Sequence, residues 1–580
     1  MLKKSLEGLP AWAQKLAHAY FSRTVCTFVL HGAVKDLHPL GVKAEGANAQ
    51  HSYGPLSTFL AQGLFAGRDH LLSYNRSSGI RALDGKSLVD VSKTMSAYDA
   101  VHGTQFAHAL PKEPGKAFQV LENFLRLRIG ERKSAALVID FAETLVPASD
   151  AASLSSEDRF LLVTLLRWAA DPQFLAADLS IVLVCESLAD ISARLVKNPY
   201  VTTVELSLPD EAERRRFLQH KLAGRKMTSL AEVGLDACIK LTSGLSCLHL
   251  ERLFSLSENR SQKISLVALK EAKKEAIAAQ CQGLLEFVEP PFGLSAVAGH
   301  EAAKEMLLGT AKALKKGMTE VLPMGYLVAG PVGTGKTYMV QCFAGEVGIP
   351  CVKFLNFRSQ WQGATEGNLE RIFGVLKALW PVAVVVDEAD AFLGNRDASG
   401  DSGTSSRVFA SMASFMGDTQ YRGKIIWFLL TCRPDKLPID LKRQGRAEEH
   451  LALFHPETAE EKNALYAAMC KKLKLDIEVK DFAQLCADKT FSGADIEALL
   501  VRAQFGAATQ GRSKVSKADL LGVLEDFIPP SYPLEMELQN LVAVQECTRR
   551  SLLPKAYADM DRSQLATRIH NLRLLLGESR

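Results

Sequence analysis

The sequence predicts an α/β protein built from two tandem αβα cores, each followed by a small helical lid, with the first module degenerate and the second intact. Three observations predict this. Short runs such as Val382-Ala-Val-Val-Val386 are apolar without alternation, as strands buried on both faces of a parallel sheet are. The run Gly330-Pro-Val-Gly-Thr-Gly-Lys336-Thr337 fits the phosphate-binding loop G-x-x-x-x-G-K-[ST], with an apolar strand at 326–329 leading in and a helix-compatible stretch at 338–346 leading out. Four landmarks recur in unchanged order 245–249 residues apart: Asp140 and Asp387, Ile181 and Ile426, Pro209 and Pro456, Gly244 and Gly493.

The repeat sets the boundaries. Residues 1–280 form the degenerate module, with a core at about 20–205 and a lid at about 206–280 whose last stretch, 270–279, is a charged connecting helix. Glu289-Pro-Pro-Phe292 marks a linker at 281–292, the second core spans 293–453 and its lid 454–527. Pro529-Pro530-Ser-Tyr-Pro533 breaks that lid from a tail at 528–580. Leu541, Val544, Leu553, Leu565, Leu572 and Leu575 give the tail helical apolar spacing, which predicts packing against its own domain.

The first module has lost its site residues. Its strand Thr27-Phe-Val-Leu30-His31-Gly32 runs into Ala33-Val-Lys-Asp-Leu-His-Pro39, which holds no Gly-Lys-Thr. The acid pair reads Asp140-Phe141. Gly85-Lys86-Ser87 imitates half a phosphate loop but follows the second strand, 71–75, and reads as a surface turn.

In the second module the chemistry is complete. The loop residues Gly330, Pro331, Val332, Gly333, Thr334, Gly335, Lys336 and Thr337, with Tyr338 opening the helix, are the expected phosphate cradle. Glycines let the backbone curl so that its N–H groups face phosphate oxygens, and the helix start adds a favourable dipole. Lys336 would reach the β/γ-phosphates and the Thr337 hydroxyl would ligate Mg²⁺. Asp387 would hold the same ion, and Glu388 would orient and deprotonate the attacking water.

Further motifs surround these: Val297-Ala298-Gly299-His300 and Leu322-Pro-Met-Gly325 before the loop, then Thr431-Cys432-Arg433-Pro434-Asp435, Lys442-Arg443-Gln444-Gly445-Arg446-Ala447-Glu448 and Phe491-Ser-Gly493-Ala494-Asp495. In this order they make residues 292–527 resemble an AAA+ module of the AAA clade, the group containing FtsH, katanin, spastin and the proteasomal ATPases. The resemblance implies ATP hydrolysis with Mg²⁺ in a homohexameric ring, adenine lying beside the backbone of Val297, Ala298 and Gly299. It implies that Arg443 and Arg446 are arginine fingers for a neighbour's γ-phosphate, where guanidinium forks suit charge spread over equatorial oxygens. Trp361, after the strand at 351–357, takes the family's aromatic slot in a loop that grips polypeptide near the ring axis. Arg407, closing a polar Gly-rich stretch at 394–407, falls where the family has an interface arginine. Two positions depart from the pattern. Cys432 replaces an asparagine that bonds the attacking water, which bears on rate rather than binding, and Thr431 beside it can substitute in part. Ala447 replaces a phenylalanine and touches packing.

Composition bounds the rest. The chain has 580 residues, 47% apolar and 23% charged, with a formal net charge of +4. That suits several sizeable cores and gives no bias toward nucleic acid or membrane surfaces. No apolar run reaches eighteen residues, so no spanning helix is expected. Residues 9–22 can form an amphipathic helix but lack the apolar centre of a secretion signal. Eleven cysteines without a C-x-x-C pair point to reduced thiols in a cytoplasm and against zinc. No H-E-x-x-H occurs, so a fused FtsH-type protease is not expected. The functional expectation is a ring ATPase that remodels or threads protein substrates or complexes. The alternatives are a nucleotide-controlled assembly scaffold and, disfavoured by the uncharged pore aromatic, a nucleic-acid motor.

Overall fold

The computed structural model describes residues 9–42, 51–84, 87–103, 105–108, 110–149, 153–222, 226–260, 263–281, 285–290, 292–355, 366–393, 404–475, 477, 479, 481–485, 491–528 and 532–578. The chain divides into two compact units, Met1–Cys281 with Ala364–Ala378, and Gln282–Gly363 with Leu379–Arg580.

The strands of the first unit are β1 (Thr27–Gly32), β2 (Leu37–Val42), β3 (His51–Pro55), β4 (His70–Asn75), β5 (Gly79–Ala82), β6 (Ala135–Ile139), β7 (Leu179–Val184) and β8 (Val201–Leu206). Six of them form a sheet in the order β5-β4-β6-β7-β1-β8, parallel except for β5, which returns antiparallel on β4. β2 and β3 pair apart from it. Alternation explains why β6 carries no polar residue. Leu137 and Ile139 face a cluster with Phe118, Leu121, Leu165 and Trp168 from helices Pro114–Gly130 and Ser156–Ala170. Ala136 and Val138 face the opposite cluster, with Leu16 of helix Ala11–Phe21. The lid helices Glu211–Leu222, Leu235–Leu241, Cys247–Arg260 and Leu266–Gln280 close around Phe217, Leu250, Phe254 and Leu269.

The strands of the second unit are β9 (Leu285–Val288), β10 (Gly325–Ala329), β11 (Cys351–Phe354), β12 (Val382–Val386), β13 (Ile425–Thr431) and β14 (Glu449–Ala452), in the order β14-β10-β13-β12-β11-β9. Read from β14, this matches the first sheet read from β8, and β9 is again an antiparallel edge, here paired to β11. The tandem expectation thus appears as one strand order used twice. The second lid comprises helices Ala459–Leu473, Phe482–Leu485, Gly493–Thr509 and Lys517–Asp526. Three of them begin with reciprocal capping boxes, Thr458 with Glu461, Ser492 with Asp495 and Ser516 with Asp519. Tail helices Pro533–Glu546 and Arg562–Leu575 join the apolar cluster of the second core through Leu538, Leu541, Leu565, Ile569 and Leu572, while Leu575 is 67% exposed and ends the stripe.

The degenerate module replaces its phosphate loop with a carboxylate. After Gly32, at φ 96°, the backbone turns so closely that a Cβ there would lie 2.6 Å from the Leu206 carbonyl oxygen. Asp36 follows, buried, and accepts hydrogen bonds from the N–H groups of Leu37 (2.7 Å), Cys247 (3.0 Å) and Leu248 (2.8 Å). Two of these donors open the lid helix Cys247–Arg260, so the side chain pins lid to core. Burial pushes its carboxyl up to about 6 against the pull of these N–H donors. Asp36→Ala is expected to lower the stability of this unit by about 2 kcal/mol, because two helix-start donors lose their acceptor. Thermal unfolding should show an early transition, with new protease cuts within 206–281. Of the surface turn expected at Gly85-Lys86-Ser87, the first two residues lie outside the described residues; Ser87 is buried, begins helix Ser87–His102 and bonds Asp84.

Candidate nucleotide-binding and hydrolysis site

Strand order brings the site together. β13 lies between β10 and β12, so the ends of these three parallel strands stand side by side, at the carboxyl edge where α/β sheets bind ligands. β10 delivers the phosphate loop, β12 the acid pair and β13 the Thr431-Cys432 end.

The loop is shaped by glycine. Gly330 sits at φ 150°, and a Cβ on it would come within 2.1 Å of the Leu453 carbonyl oxygen. Gly333 and Gly335 both adopt φ 83°, and Gly335 caps helix Lys336–Val347. The turn is fastened locally: Thr334 Oγ1 donates to the Pro331 carbonyl (2.9 Å), and His300 Nε2 lies 3.1 Å from the Thr334 carbonyl oxygen. Gln539 of the tail helix accepts the Val332 N–H at 3.1 Å, an occupant of the cradle's edge that no sequence motif marks. The half-buried Tyr338 packs against the apolar cluster of the core, and burial pushes its phenol up to about 12.

Lys336 Nζ donates to the Gly330 and Pro331 carbonyls, both at 2.8 Å, and to Cys432 Sγ at 3.3 Å. The ammonium is thus parked over the loop it would leave to meet phosphate. The Thr337 hydroxyl is 3.3 Å from Asp387 Oδ2, which also takes an ion pair from Lys353 Nζ at 2.7 Å. A hydroxyl and a carboxylate side by side, the carboxylate already holding a cation, are a fitting donor set for Mg²⁺. Glu388 is exposed and stands at φ 47°, a left-handed pose that is strained for a glutamate. Its N–H bonds Asp387 Oδ1 at 3.1 Å. Phe141 holds the same pose at φ 55° after the matching strand of the first module.

Thr431 is 1% exposed and its hydroxyl is engaged, donating to Asp390 Oδ1 (2.6 Å) and accepting the Arg433 N–H (2.8 Å). Cys432, and not Thr431, touches the loop lysine. Val297 is buried and its carbonyl accepts Lys304 Nζ at 3.0 Å, while Ala298 is half-buried. Gly299 at φ 71° has open space where a side chain would project. Arg443 is exposed after helix Ile439–Lys442, and Arg446 Nη1 donates to the Asp440 carbonyl at 2.6 Å. Burial first, and then the Arg443 charge, pull the Arg446 guanidinium below its ordinary value. Among the described residues neither arginine is ion-paired with a carboxylate. Trp361 lies outside the described residues; Arg407 falls within helix Thr404–Met416.

Sequence reading missed one charged group bordering this site. Arg433 is paired with Asp435 (2.9 Å) and Glu578 (2.6 Å), and Asp435 with Arg573 (2.7 Å). Arg433 holds the Glu578 carboxyl down at about 2. Lys442, next to the paired arginines, is held by Glu546 at 2.6 Å. The tail therefore grips both the β13 end and the arginine turn. A missed residue that did leave a signal is Lys353, a charge interrupting the otherwise buried β11.

A phosphate loop, an adjoining acid pair at a strand end and a hydroxyl–carboxylate donor set define a nucleoside-triphosphate hydrolase. The chain belongs to the AAA+ superfamily, and its second module is an AAA ATPase domain. Residues 326–454 match the model of the ATPase family associated with various cellular activities (AAA). Residues 3–207 match the AAA+ chaperone N-terminal Rossmann-like domain, and 212–282 the AAA+ chaperone second helical domain. The chain is 24% identical to the uncharacterized AAA domain-containing protein ycf46 of Guillardia theta, across 61% of this chain and 70% of that one. It is 27% identical to the ycf46 protein of Trieres chinensis, across 57% and 67%. To the ATP-dependent zinc metalloprotease FtsH of Thermus thermophilus it is 32% identical, across 39% and 37%. Among the described residues no helix is long and apolar enough to cross a membrane and no His/Cys/Asp/Glu cluster is arranged for a metal.

Proposed function

We propose that the chain is a ring-forming, Mg²⁺-dependent ATPase that remodels or threads protein substrates, hydrolysing ATP in its second module alone. The observation that carries this is the pairing of a complete hydrolytic edge with two neighbouring arginines, Arg443 and Arg446, that form no close ion pair with a carboxylate among the described residues. Adjacent guanidinium groups repel one another and suit a dense anion brought by another chain. Thr337 and Asp387 would hold Mg²⁺, which when bound neutralises phosphate charge. Lys336 would exchange loop carbonyls for phosphate oxygens, Glu388 would take the proton of the attacking water, and the arginines would complete a neighbour's pocket. A homohexamer is the assembly the family resemblance implies, and Trp361 is the proposed substrate grip. The ten described cysteines are free, in keeping with a reducing cytoplasm.

The test is ATPase rate against chain concentration, with and without a permanently unfolded polypeptide. Turnover per chain should rise steeply with concentration and rise several-fold further with the polypeptide. A rate per chain independent of concentration would remove the arginine fingers. A second reading, a nucleotide-controlled assembly scaffold, draws on Cys432 beside Lys336, where a thiol is a weak donor to the attacking water. Concentration-dependent turnover that ignores unfolded polypeptide would favour the scaffold.

A further inference from the structure

Between β14 and the first helix of the second lid, the chain crosses the nucleotide edge at His455. Neither ring nitrogen is exposed, and neither makes a hydrogen bond among the described residues. The ring stands against the phosphate loop: a Cβ on Gly333 would lie 3.9 Å from His455 Cε1 and 2.7 Å from Ser492 Cβ. Burial first lowers the pKa of the imidazole; Asp495 opposes this, while Lys336 and His300 add to it. Two buried nitrogens without partners are costly in a folded chain. At this place, between phosphate loop and lid, the cost is explained if a ligand completes them.

We propose that His455 is a nucleoside-contacting residue: its neutral imidazole bonds the adenosine half of the bound nucleotide, not its phosphates. This rests on the ATPase reading above. The chemistry selects the half. A neutral imidazole offers one donor and one acceptor. Ribose hydroxyls and the adenine edge supply both complements, whereas phosphate oxygens only accept. Lys336 nearby disfavours the imidazolium that phosphate would prefer. Because His455 lies on the strap into helix Ala459–Leu473, the same contact ties nucleotide occupancy to the lid.

The test compares His455→Ala and His455→Gln with the unaltered chain by titration calorimetry, using ATP, ADP and inorganic tripolyphosphate. His455→Ala should weaken ATP and ADP about tenfold and leave tripolyphosphate unchanged. His455→Gln, which keeps a donor and an acceptor, should recover most of the loss and serves as the folding control. On adding a non-hydrolysable ATP analogue, the imidazole ¹⁵N resonances of His455 should shift as a neutral ring gaining partners. Equal weakening of tripolyphosphate, or unaltered ATP affinity in both variants, overturns the proposal. If the unaltered chain itself bound no ATP, the ATPase reading would fall instead.

Discussion

Lys336→Ala should raise the dissociation constant for ATP at least a hundredfold, measured by calorimetry or fluorescent-nucleotide titration. Its ammonium is held directly over the loop, on the Gly330 and Pro331 carbonyls. Those carbonyls keep the ammonium poised but are neutral acceptors. A polyphosphate offers charged oxygens, and charge-assisted bonds are about twice as strong as neutral ones. Removing the ammonium takes that gain away and leaves the phosphate charge uncompensated. A hundredfold corresponds to about 2.7 kcal/mol, within reach of one or two lost charge-assisted contacts. The loop should survive, since its turn is set by Gly330, Gly333 and Gly335 and by the Thr334–Pro331 bond. An affinity within threefold of the unaltered chain would mean that phosphate is not bound at this loop.

Glu388→Gln should lower kcat by about 10²–10⁴ with ATP affinity kept, the range for loss of a positioned general base. Glutamine preserves the length of the side chain and fits the same left-handed backbone, so the exchange removes proton affinity and little else. Asp387, Thr337 and Lys336 remain, and with them binding. The protein should therefore accumulate in an ATP-bound form. Single-turnover hydrolysis paired with retention of labelled ATP on a filter separates this from a binding defect. Hydrolysis within fivefold of the unaltered rate would dismiss Glu388 as the base.

Much of this site was legible because its features are local. Val382–Val386 is named by five apolar residues in a row, since a strand covered on both faces has no solvent side to alternate with. The phosphate loop is named by glycines that only its own curvature requires. The second strand was expected to 357 and is seen from Cys351 to Phe354, with 356–365 outside the described residues. What stayed hidden are pairings between distant side chains. Lys353 with Asp387, Gln539 with Val332 and Glu578 with Arg433 join segments 34 to 207 residues apart. No periodicity encodes them, because each needs only one residue of suitable chemistry at each end. Thr431 shows the limit from the other side: its neighbourhood in sequence suggested a hydroxyl near phosphate, and burial with Asp390 turned that hydroxyl inward.

Phe141 carries the consequence of the repeated strand end furthest. It stands 55% exposed in a left-handed pose that suits neither its bulk nor any reaction of the first module. The turn that presents Glu388 in the second module thus stands in the first without a carboxylate. A strand's corner can therefore be kept where no chemistry uses it, because the sheet beneath sets the corner and not the side chain it presents.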